Sequence, residues 1–292
     1  METKWRWMLV TAIAPVAWGS TYIVTRELLP ADQPLWGAFI RALPAGLILL
    51  ALVRRRPHGS WWWKSLVLGV LNIGAFFVLV YLAAQLLPSS VASTVMATSA
   101  GVILLLAWPI LRQHPTWLSL AGALVGFAGV VVMLSPGGAD VNPWGVVASL
   151  AAMCCSSVGF LLARRWSGDA PILATTAWQL LAGSVLLAPV AVLVEGPPPS
   201  PTPGSVVGFA YITLIGTALA FVAWFTGLKH LPAGVVGVVG LLNPVTGVLL
   251  GTLVAGESLT ALQGLGILLV LGGVGLGSAR SPGRRREPAA SR

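Results

Sequence analysis

Charge is the scarcest property of this sequence. Asp, Glu, Lys and Arg make up 9% of its 292 residues against 57% hydrophobic residues, and the mean hydropathy is +0.89. So few polar side chains cannot cover a soluble globule, which makes lipid the solvent. Cysteine is as scarce, with Cys154 and Cys155 adjacent inside an apolar run. Neighbouring residues on a helix point in different directions, so no disulfide framework exists and the pair reads as packing. No polar stretch long enough for a separate soluble domain interrupts the chain, because the apolar runs are joined by roughly 4 to 12 residues. The alternating polarity that a membrane β-barrel needs is missing from runs such as Val102 to Ala107. Asp and Glu are absent from the centre of every apolar run, where proton-coupled antiporters carry an ionisable group.

What is present is one apolar run after another. Windows of about 20 residues place helices at approximately 7–25, 34–53, 63–86, 89–110, 116–134, 143–163, 172–194, 205–228, 232–254 and 259–278. The expected fold is an all-α integral membrane protein of ten transmembrane helices. Lys4 and Arg6 before a run containing Ala12, Ala14 and Ala17 resemble a secretory leader, but the run continues through Trp18 to Val24 and reads as the first membrane helix. Trp61, Trp62, Trp63 and Lys64 read as an interfacial anchor. Residues 280–292 read as a disordered basic tail.

The net charge of +9 would suggest nucleic acid in a soluble protein. Here the bases lie in the connections, which explains them without such a partner. With the N-terminus inside the cell, every Lys and Arg except Arg26 and Arg41 falls on the cytoplasmic side, while Glu27, Asp32, Asp140, Glu195 and Glu257 fall outside. This bias predicts a multi-pass inner-membrane protein with both termini cytoplasmic.

Sliding the chain against itself by about 144 positions brings Leu87-Pro88 onto Leu231-Pro232, Phe77 onto Phe221, Tyr81 onto Phe225, Gly122 onto Gly266 and Gly129-Val130 onto Gly273-Val274. At a slightly smaller shift Arg26 meets Arg164, and the stretch ending in Arg41 meets Ala177-Trp178-Gln179. Each half, 1–138 and 139–279, holds five helices, an odd number, so the second half begins on the opposite side of the membrane. Matching loops differ in charge accordingly: Arg54-Arg55-Arg56 is basic and its counterpart around Glu195 is acidic. The expectation is two inverted-topology five-helix repeats.

These residues resemble the drug/metabolite transporter superfamily, in particular its ten-helix EamA-type members. The likeness rests on Trp18-Gly19-Ser20, Arg41, Trp178-Gln179, Leu231-Pro232-Ala233-Gly234, Leu242-Asn243-Pro244-Val245 and Glu257-Ser258-Leu259 followed by Gly266 and Gly273. The first half departs from it, with Gln113 where the second has Glu257 and Ala100 where it has Pro244. The resemblance implies export of small metabolites, often amino acids or related amphipathic compounds, through a cavity between the halves by alternating access. The first-helix stretch is most similar to a branch of pigment-type or amino-acid-like metabolite exporters.

Polar residues at membrane depth are costly and face the bundle interior or water. Arg41 stands alone inside an apolar run, at a cost of at least ~2.5 kcal/mol unpaired. Two readings stand: attraction of a substrate carboxylate, or a structural bond to helix carbonyls. Trp18 and Tyr22, four positions apart, share a helix face and either line a cavity or pack. Asn72, Thr98, Ser99, Trp178, Gln179, Trp224 and Asn243 complete the cavity candidates, with interhelical hydrogen bonding as the alternative for each. Asn243-Pro244 predicts a kink that can act as a gate.

No cofactor, metal or catalytic residue is expected. The rival from another class, a membrane-embedded transferase or hydrolase, lacks a constellation, since His58, His114 and His230 lie on separate loops. A non-transporting scaffold is the third option. Partners reduce to a small-molecule substrate and the bilayer, for a monomer or, alternatively, a dimer through Gly122-xxx-Gly126 or Gly247-xxx-Gly251.

Overall fold

The computed structural model describes residues 2–112, 117–133, 141–166, 168, 170–230, 239–240 and 242–278. Gln113, His114, Asp140, the Leu231 to Gly234 stretch and the basic tail lie outside them. Among the described residues all regular structure is helical. We number the helices α1 (Glu2–Leu28), α2 (Pro34–Val53), α3 (Trp61–Gly69, Val70–Gly74 and Ala75–Leu86), α4 (Ser89–Ala97 and Ser99–Leu111), α5 (Trp117–Met133), α6 (Pro143–Trp166), α7 (Ile172–Glu195), α8 (Pro203–Thr213, Leu214–Leu219 and Ala220–His230), α9 (Leu242–Leu253) and α10 (Ala261–Ser278). Seven are long and apolar enough to cross a membrane, namely α1 to α4 and α6 to α8, and α5, α9 and α10 carry shorter apolar stretches.

The boundaries follow local chemistry. Pro34 and Pro203 open α2 and α8, where a missing N–H costs nothing. At α8 a capping box adds to this, with Thr202 and Ser205 each accepting from the other's backbone N–H. Arg54 ends α2 in the left-handed region, its N–H returning to the Leu50 carbonyl at 2.7 Å. Two interior segments depart from α geometry: Val70–Gly74 in α3 and Leu214–Leu219 in α8 are π-helical. Such segments shift the i→i−4 ladder and release carbonyls for other partners.

The interior is largely apolar but also holds polar side chains, while large apolar residues stand on the outside. Thr11, Thr21, Thr25, Arg41, Asn72, Ser93 and Gln179 are buried, whereas Leu193 and Leu124 stand 84% and 70% exposed on the lipid-facing side. α2 runs along α7, α5 along α10, α3 against α6, α1 against α8, and α4 against α9. The α5–α10 crossing brings backbone close to backbone: a Cβ on Gly273 would collide with the backbone of Gly122 and Gly126, and one on Gly129 with the Gly266 carbonyl. Both small-residue motifs therefore face partners within the chain, since Gly247 lies against Ser93 and Gly251 against Glu257.

Candidate functional site

The π-helical segment of α8 is where α1, α2 and α8 meet. Its Gly216 carbonyl accepts from Trp18 Nε1 at 3.1 Å and from Arg41 Nη2 at 3.2 Å. Arg41 Nε donates to Thr217 Oγ1 at 2.7 Å, and that hydroxyl in turn donates to the Ile212 carbonyl at 2.8 Å. One irregular turn thus supplies both acceptors of a buried arginine. A Cβ on Gly216 would lie 3.0 Å from Thr21 Oγ1, a tight contact that favours glycine there.

The guanidinium is 6% exposed as a residue, and its carbon lies 4.1 Å from the centroid of the Phe77 ring. A cation at that distance gains from the ring's negative face. Arg41 forms no ion pair among the described residues, and its Nη1 has no hydrogen-bond acceptor there. Tyr22, 3% exposed, is its electrostatic neighbour. Trp18 also meets Trp224 at 5.3 Å between centroids and Phe221 edge-on at 5.7 Å. The structure therefore brings Trp18, Tyr22, Arg41 and Trp224 to one seam: a buried positive charge with a donor to spare, beside aromatic faces.

The π-helical segment of α3 carries a second polar contact. Asn72 Nδ2 donates to Gln179 Oε1 of α7 at 2.9 Å, and Asn72 Oδ1 is buried without a partner among the described residues. A Cβ on Gly159 of α6 would fall on the Asn72 amide, so the side chain occupies the hollow that this glycine leaves.

The other expected residues are dispersed. Asn243 Oδ1 is buried without a partner among the described residues, and the backbone carbonyl of Asn243 lies against Gly19 of α1, with Pro244 buried beside it. Thr98 breaks α4 and donates to the Val95 carbonyl at 2.7 Å and to Met153 Sδ at 2.9 Å; Ser99 follows, half-buried. Trp178 belongs to a different cluster, donating to the Arg55 carbonyl at 2.8 Å and packing on Trp61 and His58. His230 stacks on Trp7 at 3.9 Å, so His58 and His230 each lie against a tryptophan ring.

Sequence reading missed Gly216, Thr217 and Phe77, although the 144-residue shift places Gly216 opposite Asn72. It also left the carboxylates at helix ends unpartnered. Glu257 accepts from the Ser89 and Ser90 amides at 2.7 and 3.1 Å and from Ser90 Oγ at 2.7 Å, and pairs with Arg26 at 3.2 Å. Glu195 accepts from the Leu35 and Trp36 amides at 2.7 and 2.9 Å. The first turns of α4 and α2 thus receive acceptors and a favourable charge from distant connections. The signal was the uncapped start of each helix, since Pro88 and Gln33 offer no side-chain cap.

Comparison with known proteins gives concordant matches. The chain matches the EamA-like transporter family over residues 5–135 and again over 143–278. It is 37% identical to Protein PecM of Dickeya dadantii over 259 residues, covering 88% of this chain and 87% of that one. It is 29% identical to the uncharacterized inner membrane transporter YedA of Escherichia coli K12, covering 88% and 85%. A solved crystal structure superimposes with a TM-score of 0.69 at 21% identity, covering 93% of this chain and 97% of that one, a likeness of fold.

Proposed function

Since the chain belongs to the EamA-like transporter family and is a multi-pass membrane protein of that kind, we propose that it exports small amphipathic metabolites bearing an anionic group, amino acids or related compounds, by alternating access. The observation that carries the substrate class is Arg41: a buried cation that, among the described residues, has no ion pair and no acceptor for Nη1, with Phe77 over its guanidinium and Trp18, packed on Trp224, bonded to the same carbonyl. A carboxylate reaching Nη1 supplies the missing counter-charge, and Trp18 and Trp224 suit an apolar or aromatic remainder.

The mechanism follows from what Arg41 holds while it waits. Its bonds to Gly216 and Thr217 tie α2 to α8, and Trp18 ties α1 to the same carbonyl. An anion that draws the guanidinium toward itself weakens this tie, coupling binding to relative movement of the helices. Two inverted five-helix repeats, 1–138 and 139–279, give that movement its two end states. Support for the repeats comes from the π-helical segments, whose first residues Val70 and Leu214 stand at the repeat spacing. It comes also from the paired family matches and from Arg41 and Gln179, repeat counterparts that each bond to the π segment of the other half.

The experiment is efflux from proteoliposomes loaded with labelled amino acids or aromatic metabolites, with and without a pH gradient. Arg41→Gln is expected to lower flux of the anionic or zwitterionic substrate about tenfold or more, the loss of one charge-assisted bond, while elution on gel filtration stays monodisperse. Unchanged flux in a folded Arg41→Gln protein rules the assignment out.

A further inference from the structure

A second site opens at the other end of α3, away from Arg41. A cavity of about 380 Å³ lies between the α2–α3 connection, the first turn of α3 and the α6–α7 connection, lined by Arg55, His58, Trp61, Lys64, Trp166 and Pro171 among others. Among the described residues, which do not include Asp169, its lining holds two cationic side chains and no carboxylate, and neither Arg55 nor Lys64 forms an ion pair there. Lys64 Nζ lies 5.5 to 6.0 Å from the ring centroids of Trp61, Trp63 and Trp166, so its position is held by aromatic faces that leave the ammonium protons available.

The walls are built rather than incidental. Trp178 fixes the α2–α3 connection by donating to the Arg55 carbonyl, and His58 closes that connection by accepting from the Trp61 amide at 3.0 Å. On the opposite wall Trp166 packs edge-on to Trp63 at 5.0 Å, and Gly168, with φ of 41°, turns the chain in the left-handed region that favours glycine. Outside the cavity, Trp63, Leu66 and Val70 succeed one another on one face of α3 and are 51%, 46% and 43% exposed. An apolar track thus runs from the basic cavity along the lipid-facing surface.

We infer that this cavity binds the phosphate of an anionic phospholipid, with Arg55 and Lys64 on the headgroup and an acyl chain along Trp63, Leu66 and Val70. The shared chemistry, a phosphate between two cations, also fits free inorganic phosphate. The apolar track favours the lipid, because a free ion has no use for it. Basic pockets at helix ends flanked by apolar surface recognise anionic headgroups in this way. The inference is independent of any role for Arg41.

Native mass spectrometry of the full chain, released from detergent with phosphatidylglycerol or phosphatidylethanolamine, tests it. Wild type is expected to retain phosphatidylglycerol about tenfold better than phosphatidylethanolamine, with Arg55→Gln/Lys64→Gln losing the preference and Arg55→Lys/Lys64→Arg keeping it. Millimolar inorganic phosphate should leave the bound lipid in place. Equal retention of the two lipids by wild type, undiminished preference in the glutamine variant, or displacement of the lipid by inorganic phosphate overturns the assignment. Should the glutamine variant not fold, lipid preference in wild type and the charge-preserving variant, with the phosphate competition, decides it.

Discussion

At Glu257 one carboxylate, 8% exposed, satisfies two backbone amides and a hydroxyl at the start of α4 while pairing with Arg26 at the end of α1. Removing it strands the Ser89 and Ser90 amides and leaves Arg26 with its weaker neighbour Glu27 at 3.9 Å. Glu257→Ala is expected to destabilise the protein by about 2 kcal/mol, the upper range for a lost N-cap. Glu257→Gln keeps one acceptor oxygen and should lose less. Thermal unfolding in detergent reads the order, and equal stability of the alanine variant and wild type would sink the capping role. Arg41 was legible because isolation in an apolar run is itself a signal. The partners of Glu257 were not, because they lie far away in sequence and only packing brings the connections together. Trp178 and Gln179 show the same limit: adjacent residues look equivalent in a motif, yet on a helix they diverge, one reaching Arg55 and the other Asn72.

Helix positions were readable because bilayer thickness forces apolar runs of a set length, and α2 falls on the expected residues 34–53. The π-helical segments were not readable, since one shifted hydrogen-bond register leaves no mark on composition. The one in α8 nevertheless carries the Gly216 carbonyl that accepts from both Trp18 and Arg41. The element therefore makes a prediction of its own. Gly216→Ala places a methyl 3.0 Å from Thr21 Oγ1, a hydroxyl already held by its bond to the Ala17 carbonyl at 2.9 Å. The added Cβ is expected to shift the π segment or Thr21 by a few tenths of an ångström, disturbing the acceptors of Trp18 and Arg41. In the other π segment, Gly74→Ala meets nothing nearer than the Gly69 carbonyl at 3.5 Å, an ordinary contact. Flux normalised to folded protein should fall severalfold for Gly216→Ala and stay near wild type for Gly74→Ala. Equal effects would mean that the α8 segment has no special part in transport.

For the whole molecule, charge and symmetry have to agree. Inverted repeats require the α2–α3 and α7–α8 connections, counterparts in the two halves, to emerge on opposite faces of the membrane. The first carries Arg54, Arg55 and Arg56, and the second carries Glu195 and a proline-rich stretch, a difference from which a cytoplasmic position of the first is expected. Ser60 and Ser200 are exposed in or beside these connections, and serine to cysteine is a small change at both. After replacement of Cys154 and Cys155 by alanine, Ser200→Cys should react with a membrane-impermeant maleimide on intact cells, and Ser60→Cys only once the membrane is permeabilised. Labelling of both from one side would break the inversion and with it the two-ended access that export through a single Arg41 site requires. Labelling of Ser60→Cys alone on intact cells would keep the inversion and reverse the orientation, placing the basic cavity of α3 outside the cell.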